Sequence, residues 1–574
     1  MHGLRSSRWF AGDDEVAVLH RVSACNSGAQ VDPAGDRPVI GIANSASDLN
    51  PCNLPLRELA GAVAAGVRAA GGVPMEFPVM SLGEDLMKPS AMLYRNLLAM
   101  EVEEYLRAYP LDGVVLLANC DKSVPGAIMG AVSSNLPTLV VTAGPRPVST
   151  FQGRRVGTGT DLWRAFDAHR TGAMSDQEWH EFERCLCCGQ GSCNTMGTAS
   201  SMAIVTELLG LMLAGAAAIP SGDDARSAVA RASGERIVHL VREDIRPSAV
   251  LTERAFANAV RGLSAVGGST NAVIHLLAVA RRAGVGLTLD EIGRLGRTVP
   301  VVADVEPAGS MLMQEFHEAG GVPALVAELG DRFDLDAVTA SGRSWAEETE
   351  GVAVSGPAIR PIDDALAENG AFAVVRGSLA PGGALLKKPA ASSRLFRHRG
   401  PAVVFSSYEE MRERIDDPAL EVTASSVLVL AGAGPVGVPG MPEWGHVPVP
   451  ARLAAAGVDD MVRVTDGRIS GTAFGTCLVH VAPEASVGGP LALVRDGDEI
   501  VLDVEAGMLD LEVPADELAA RRERWRPAPS QHRRGWPALY QQHVTQADEG
   551  CDFDFLQTPP AEAPRLVEPV VGRS

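Results

Sequence analysis

The stretch 118–126, Ala-Asn-Cys-Asp-Lys-Ser-Val-Pro-Gly, places a thiol, a carboxylate and an amine at three consecutive positions, Cys120, Asp121 and Lys122. It follows the apolar run 114–117, Val-Val-Leu-Leu, which predicts a buried strand that leads into a polar loop. Loops at strand ends often carry the chemistry of α/β proteins. These three residue types side by side therefore indicate a functional loop that uses metal or thiol chemistry.

Two further cysteines share this setting. Cys52 lies in the tetrapeptide N-P-C-N and Cys193 in G-S-C-N, so that each, like Cys120, stands at a turn beside small or helix-starting residues. Free backbone N–H groups at such positions stabilise a thiolate. A lone cysteine of this kind can equally be a buried structural thiol, but three in matched settings favour joint ligation of a soft metal or cluster.

A second group of cysteines precedes Cys193 and superficially resembles a zinc knuckle: Cys185, Cys187 and Cys188. The spacing is not that of two paired C-x₂-C motifs, and no nearby pair of histidines completes a zinc site. We interpret these thiols as residues of a surface loop. Some of them could still lie near Cys193 and be redox-active.

Three more loops offer oxygen atoms. Glu84 lies in M-S-L-G-E-D and Glu443 in G-M-P-E-W, and a carboxylate is the ligand that a hard cation needs. Ser470 lies between isoleucine and glycine in T-D-G-R-I-S-G-T, a turn that exposes a hydroxyl. Taken alone, each acid is most simply a solvated loop residue and the serine a turn former.

Composition limits the possible classes of protein. The chain has 574 residues, of which 46 % are hydrophobic and 21 % charged, and it carries 60 glycines and 38 prolines, which predicts two or three globular domains with many tight loops. Its net charge of −21 argues against a nucleic-acid or anionic-membrane partner. No apolar signal core or spanning segment is visible, and the nine cysteines fit a reducing compartment. We expect a cytoplasmic protein without a membrane span.

Apolar patterning predicts the elements that position these loops. Helices are expected over 54–70, 125–134 and 195–218, and strands over 114–118 and 138–142, which together form βαβ alternation. A polar stretch at 340–356 indicates a boundary. Beyond it, short β-branched runs such as 402–405 and 426–430 alternate with Gly/Pro turns. We therefore predict an α/β fold: an N-terminal parallel-sheet domain, residues 1–355, and a C-terminal β-barrel-like domain, residues 356–574.

The ordered loops resemble those of the dihydroxy-acid, phosphogluconate and sugar-acid dehydratases, from about residue 8 to residue 555. Nine segments match in order, which makes coincidence an inadequate explanation. They are P-C-N at 51–53, M-S-L-G-E at 80–84, C-D-K at 120–122, T-M-G-T-A-S at 195–200, G-G-S-T-N at 267–271, G-S-L-A-P at 377–381, P-G-M-P-E at 439–443, T-D-G-R at 465–468 and H-V-A-P-E at 480–484.

The resemblance implies an iron–sulfur cluster held by three cysteines, which here match Cys52, Cys120 and Cys193. One iron of such a cluster lacks a protein ligand and keeps an open position for the substrate hydroxyl. Three cysteines and an open iron fit both [2Fe–2S] and [4Fe–4S] clusters, and we expect the [2Fe–2S] form.

The resemblance also implies Mg²⁺ beside the cluster, with ligand positions that match Glu84, Asp121, Lys122 and Glu443. A protonated lysine cannot ligate Mg²⁺, because an ammonium has no lone pair and repels the cation. In the family this lysine is carbamylated, which converts the amine into a carboxylate-like oxygen ligand. One strand-end loop would then serve both metals.

The implied reaction removes water from a 2,3-dihydroxy acid and gives a 2-keto-3-deoxy acid, with Ser470 as the base that takes the C2 proton. Segment 471–480 and the tail 546–555 look like the sugar-acid (aldonate) branch, of which an arabinonate dehydratase is an example. Segment 120–126 looks closer to the branched-chain dihydroxy-acid enzymes. We predict an aldonate dehydratase that forms a homodimer or homotetramer. Two alternatives remain: dihydroxy-acid dehydratase of branched-chain amino-acid synthesis, and an inactive iron–sulfur sensor.

Overall fold

The computed structural model describes residues 3–31 and 33–557 of the chain. The strands are β1 (Val39–Asn44), β2 (Val73–Pro78), β3 (Gly113–Leu117), β4 (Thr138–Val141), β5 (Ser149–Phe151), β6 (Arg154–Val156), β7 (Phe372–Val375), β8 (Gly383–Lys387), β9 (Arg397–Phe405), β10 (Val427–Leu430), β11 (Glu443–Trp444), β12 (Arg463–Thr465), β13 (Arg468–Ile469), β14 (Cys477–Ala482), β15 (Glu499–Asp503) and β16 (Met508–Glu512).

The helices alternate with strands from β1 to β4 and follow one another between β6 and β7. They are α1 (Ser7–Phe10), α2 (Glu15–Asn26), α3 (Leu56–Ala69), α4 (Arg95–Ala108), α5 (Ser123–Ser134), α6 (Thr160–Arg170), α7 (Asp176–Leu186), α8 (Thr198–Leu208), α9 (Asp224–Glu243), α10 (Pro247–Val250), α11 (Glu253–Ala265), α12 (Thr270–Arg282), α13 (Leu289–Gly296), α14 (Met313–Glu318), α15 (Gly321–Leu329), α16 (Trp345–Glu348), α17 (Tyr408–Arg414), α18 (Ala451–Ala455), α19 (Ala515–Arg524) and α20 (Gly535–His543). None of the helices in the described part of the chain combines the length and the apolar character that a bilayer crossing requires.

The N-terminal sheet is parallel, with strand order β2-β1-β3-β4. Its strands β1, β3 and β4 are buried on both faces, as their continuous apolar sequences predict. Ile40 and Val115 face α3 and α9, whereas Val114 and Leu116 pack with α4 and α5 on the other face. The predicted α/β fold with a parallel sheet is confirmed, including the strands at 114–118 and 138–142 and the helices at 54–70 and 125–134.

The helix predicted over 195–218 is wrong in its length, since α8 ends at Leu208. Gly210 has a φ of +76°, its N–H donates to the carbonyl of Glu207, and the N–H of Leu211 donates to the carbonyl of Thr206. This hydrogen-bond pair is a Schellman ending, which depends on glycine in the left-handed region. The apolar residues that follow continue the helical pattern in sequence, but they lie in a buried loop.

The C-terminal strands form an eight-stranded sheet with the order β16-β15-β9-β10-β12-β14-β8-β7. Its two edges meet, because the N–H of Arg376 donates to the carbonyl of Gly507 and the N–H of Leu509 donates to the carbonyl of Arg376. The sheet therefore nearly closes on itself around an apolar interior, and the predicted barrel-like fold is confirmed.

The end of the described chain returns to the N-terminal helices. Arg95 on α4 donates to the carbonyls of Gly550 and Cys551, and Arg282 on α12 forms a fully buried ion pair with Asp552. The division of the chain at residue 355 stays a prediction, and its two ends, residues 1–2 and 558–574, lie outside the described residues.

Helices α3 and α9 cross at a glycine pair that permits direct backbone contact. A Cβ atom on Gly66 would lie 2.0 Å from the carbonyl oxygen of Arg231, and one on Gly234 would lie 2.1 Å from that of Val63. The rigid backbone on both sides leaves no room for a side chain. This crossing fixes α3, which follows the Cys52 loop, against the sheet.

We predict that Gly66→Ala lowers the apparent melting temperature, because overpacking at this crossing costs about 1–3 kcal/mol. Gly61→Ala on the same helix is the matched control, since its Cβ would meet no atom within 4 Å. That change should stabilise the helix by about 0.5–1 kcal/mol. Equal melting temperatures for the two variants would contradict the proposed close crossing.

Candidate active site

The carboxyl ends of the N-terminal strands bring the predicted loops together. Strands β2, β1 and β3 are neighbours and run parallel, so the loops that follow them emerge at one edge of the sheet. The loop after β1 carries Cys52, the loop after β2 carries Glu84, and the loop after β3 carries Cys120, Asp121 and Lys122. Parallel pairing therefore accounts for the proximity of residues that lie up to 70 positions apart.

The side chain of Asn53 joins three of these loops. Its oxygen accepts hydrogen bonds from the backbone N–H groups of Asn119, at 3.2 Å, and Cys120, at 2.8 Å. Its amide nitrogen donates to the hydroxyls of Ser45, Ser81 and Ser123, at 2.8 to 3.2 Å. Asn53 is fully buried, and apart from the partly buried bond to Ser81 these bonds fix the positions of the loops without competition from water.

Asn119 extends this network to the third cysteine loop. Its amide donates to the carbonyl of Cys52 at 2.8 Å and accepts from the N–H of Gly144 at 2.9 Å. The carbonyl of Gly144 in turn accepts from the N–H of Ser192, and the N–H of Gly191 donates to the carbonyl of Pro51. The loop that carries Cys193 is thus attached to both other cysteine loops.

The three predicted cysteines lie together as free thiols. The neighbouring Cys52 side chain and burial raise the pKa of the Cys120 thiol well above its usual value. Burial raises the pKa of Cys193 to about 12, although the Arg146 guanidinium opposes this shift. Thiolates at these sites therefore need a positive partner. The side chain of Arg146 donates to the carbonyls of Gly191 and Ser192 and lies beside the thiols of Cys193 and Cys52.

The predicted oxygen ligands lie together around Asp121 and Lys122. One carboxylate oxygen from each of Glu84, Asp121 and Glu443 lies within 4.8 Å of the other two. The amine of Lys122 stands among them, 3.0 Å from Glu443 Oε2 and 3.3 Å from Glu84 Oε2, and in close contact with Asp121 Oδ2. The structure thus brings all four residues together, although 359 positions separate the first from the last in the sequence.

The charged groups of this cluster shift one another's pKa values. Burial lowers the pKa of Lys122, and so does Arg468, but the three carboxylates outweigh both and raise it. Burial would raise the pKa of Asp121, yet the Lys122 ammonium and the Arg468 guanidinium lower it. Glu443 keeps a raised pKa because its burial dominates. The buried acids are therefore held by cations, which a bound divalent metal could replace or supplement.

Strands β11 and β13 deliver the C-terminal residues to the site. They pair in parallel, with Glu443 opposite Arg468. Arg468 is fully buried and donates to Glu443 Oε2 at 2.7 Å and to the Ser90 hydroxyl at 3.0 Å. Ser90 in turn donates to Glu84 Oε1 at 3.2 Å. Arg468 therefore connects a carboxylate in the loop after β2 with one on β11, in the C-terminal half of the chain.

Ser470 follows β13 and lies in a hydrogen-bonded loop. Its Oγ is 2.8 Å from Thr472 Oγ1 and accepts from the Thr472 N–H at 3.3 Å. The indole N–H of Trp163 donates to Thr472 Oγ1 at 3.0 Å, and an indole can only donate. The Thr472 O–H is then free to donate to Ser470, so that two donors can support a negative charge on the serine oxygen.

Sequence reasoning missed the residues that support this site. Three buried asparagines stand directly beside the three cysteines in the sequence, namely Asn53, Asn119 and Asn194. This repeated Asn–Cys neighbourhood could have indicated their supporting role. Arg468 ends the segment T-D-G-R, but only the structure shows its contacts with the carboxylates. Thr472 ends the segment T-D-G-R-I-S-G-T, but its contact with Ser470 is visible only in the structure. Arg146 and Trp163 carried no sequence signal, because the fold alone places them.

The second cysteine group lies around the end of α7. Cys187 is exposed, and Cys185 and Cys188 are partly exposed. Cys188 lies close enough to Arg146 to raise the pKa of its guanidinium, and Cys193 acts on Arg146 in the same way. No zinc-like grouping that includes these thiols occurs in residues 3–31 and 33–557. Their role stays open.

Comparison with known proteins covers nearly the whole chain. The N-terminal model of the dihydroxy-acid/6-phosphogluconate dehydratase family matches residues 37–348, and the C-terminal model matches residues 357–551. A 6-deoxy-6-sulfo-D-gluconate dehydratase from Pseudomonas putida is 49 % identical over 558 residues, which cover 96 % of each chain. An L-arabinonate dehydratase from Rhizobium leguminosarum bv. trifolii is 46 % identical over 557 residues, again 96 % of each chain.

A dihydroxy-acid dehydratase from Moorella thermoacetica is 40 % identical over 525 residues, which cover 90 % of this chain and 94 % of the relative. The resemblance inferred from the nine loop segments is therefore confirmed, and so is the similarity to sugar-acid dehydratases. The chain belongs to the dihydroxy-acid/6-phosphogluconate dehydratase family and is an enzyme of the hydro-lyase class.

Proposed function

We propose that the protein dehydrates a sugar acid, an aldonate, to the 2-keto-3-deoxy acid with the help of an iron–sulfur cluster and Mg²⁺. The observation that carries this proposal is the loop 120–122, whose cysteine joins a group of three thiols while the next two residues join a group of carboxylates. Soft and hard ligand sets are thereby adjacent.

The thiol group fits an iron–sulfur cluster. Cys52 and Cys120 are buried free thiols in mutual contact, and Cys193 lies near Cys52. Their raised pKa values disfavour thiolates in the absence of a metal, whereas bound iron would supply the missing positive charge. Nearby Arg146 would offset part of the remaining negative charge.

The carboxylate group fits Mg²⁺. Glu84 Oε2 is buried, lies 3.3 Å from the Lys122 amine and makes no hydrogen bond, so it keeps a lone pair for a ligand. An ammonium at Lys122 competes for the same oxygens. Carbamylation would remove that charge and add an oxygen ligand beside Asp121 and Glu443, which suits an octahedral cation.

When bound, the two groups supply an open iron as a Lewis acid for the C3 hydroxyl and a cation that binds the carboxylate and C2 hydroxyl. The protein itself would contribute the base. A free serine is a very weak acid, so Ser470 needs stabilisation of its ionised form. The two donors of Thr472 provide part of it, and the buried guanidinium of Arg468, two residues before Ser470, adds positive charge nearby.

Substrate class is inferred from the relatives. The sulfogluconate and arabinonate enzymes are 49 % and 46 % identical to this chain, against 40 % for the dihydroxy-acid dehydratase. This order favours an aldonate over a branched-chain dihydroxy acid. We also propose a homodimer or homotetramer in the cytoplasm, which rests on the resemblance and the cysteine content alone.

We predict that anaerobically purified protein forms a keto acid from at least one C4 to C6 aldonate. The panel should include L-arabinonate, D-xylonate, D-gluconate, 6-deoxy-6-sulfo-D-gluconate and dihydroxyisovalerate, with kcat/KM as the measurement. Preference for dihydroxyisovalerate would establish the branched-chain alternative. A cluster-loaded protein that dehydrates none of these acids would favour the sensor.

Replacement of Cys120 by serine should abolish the visible iron–sulfur absorption together with activity, since only three thiolates hold the cluster. Cys52→Ser and Cys193→Ser should behave in the same way. Cys25→Ser is the control, because this thiol is exposed and outside the group. Full cluster content in the Cys120 variant would refute the ligand assignment.

Ser470→Ala should keep the cluster and bind substrate but lose the base. The expected loss appears in kcat and amounts to about 10²-fold or more, with KM little changed. Steady-state kinetics on the preferred aldonate test this prediction. A variant that retains more than about a tenth of wild-type kcat would require a different base.

A further inference from the structure

Lys387 is a buried lysine that has no role in the proposed cluster site, Mg²⁺ site or base. It ends strand β8, is 8 % exposed, and its amine lies 3.5 Å from the carbonyl oxygen of Gly471. Burial lowers the pKa of Lys387 to about 7, and no charged side chain of the described residues contributes to that shift. Burial of an ammonium without a carboxylate partner costs free energy, which suggests that the charge of Lys387 has a function.

The carbonyl that faces Lys387 belongs to the same peptide unit that supports Ser470. This unit joins the C=O of Gly471 to the N–H of Thr472, and that N–H donates to Ser470 Oγ at 3.3 Å. A cation at the carbonyl end polarises the peptide and strengthens its N–H as a donor, because hydrogen bonds in a chain reinforce one another. A positive charge on Lys387 would thus strengthen the hydrogen bond that Ser470 Oγ accepts, because a single planar peptide group joins the two.

The loop around this peptide is fixed from several directions. The amide of Asn271 donates to the carbonyl of Ile469 at 3.1 Å, and the hydroxyl of Thr160 donates to the carbonyl of Thr472 at 3.0 Å. A Cβ atom on Gly471 would lie 2.5 Å from Ser269 Oγ, so glycine is required there. The peptide unit therefore cannot readily turn away from Lys387 or from Ser470.

We propose that Lys387 is a positioning residue whose ammonium stabilises the ionised form of Ser470 through the Gly471–Thr472 peptide. The inference rests on the proposed role of Ser470 as the base. Lys387 transfers no proton in this scheme and contacts no substrate. The negative charge of the serine alkoxide balances the Lys387 ammonium, and it forms at the stage of the reaction where the base is needed.

The test compares Lys387→Met, Lys387→Gln and Lys387→Arg with the neighbouring Lys388→Met as the control. Lys388 is partly exposed and donates to the carbonyl of Asn369 at 2.7 Å, away from this peptide. Steady-state kinetics on the preferred aldonate give kcat and KM, and the visible absorption reports cluster content. The neutral, polar Gln variant keeps the test valid if Met is poorly tolerated.

We expect Lys387→Met to lower kcat about tenfold or more, with KM within about twofold of wild type and full cluster content. Lys387→Gln keeps a donor but no charge and should lose nearly as much, whereas Lys387→Arg should retain more kcat than either. Lys388→Met should match the wild type. This pattern separates the charge of Lys387 from a purely structural role.

Wild-type kcat in Lys387→Met would overturn the inference, and so would equal losses in the Arg, Gln and Met variants with normal KM and cluster content. A raised KM with unchanged kcat would also overturn it, since it would indicate a binding role. Failure of the wild-type protein to dehydrate any acid of the panel would refute the proposed function instead, so the two failures are distinguishable.

Discussion

The hydrogen bonds of one buried amide, Asn53, hold together the loops on which the candidate site depends. Its oxygen orients the backbone before and at Cys120, while its nitrogen reaches the serines that begin or line the neighbouring loops. Irregular loops at a sheet edge would otherwise be free to separate. Because Asn53 and most of these partners are buried, loss of the bonds would leave several buried polar groups unsatisfied at once.

Charge balance imposes the second constraint. Three carboxylates and three thiols, each buried or partly buried, lie close together, and the cations near them are Lys122, Arg468 and Arg146. Arg468 comes from the C-terminal half of the chain and pairs with Glu443 while it also reaches Ser90. The packing of the β11–β13 strand pair against the N-terminal loops therefore depends on electrostatics. This arrangement supports the proposed metal sites.

The hydrogen bonds of the Ser470 loop support the proposed use of this serine, a weak acid, as a base. Trp163, Thr472 and the peptide after Gly471 all direct hydrogen-bond donors, directly or through one intermediate group, toward the serine oxygen. These contacts come from helix α6, from the loop itself and, through Lys387, from strand β8. Rigid elements that aim fixed dipoles at a developing charge avoid the reorganisation that water would require.

The sequence by itself determined the fold class, the family and the candidates for the site residues, because apolar runs, turn residues and motifs are local features of the chain. Cys52, Cys120, Cys193 and the acids stand in short, distinctive segments. The end of α8 escaped prediction because its apolar pattern continues past Gly210, and only the glycine's left-handed backbone reveals the stop. Tertiary structure alone decided that Glu84 and Glu443 meet across Lys122, that Arg468 joins them, and that Lys387 faces the peptide beside Ser470. Such contacts depend on strand order and on the packing of distant segments, which no local pattern encodes.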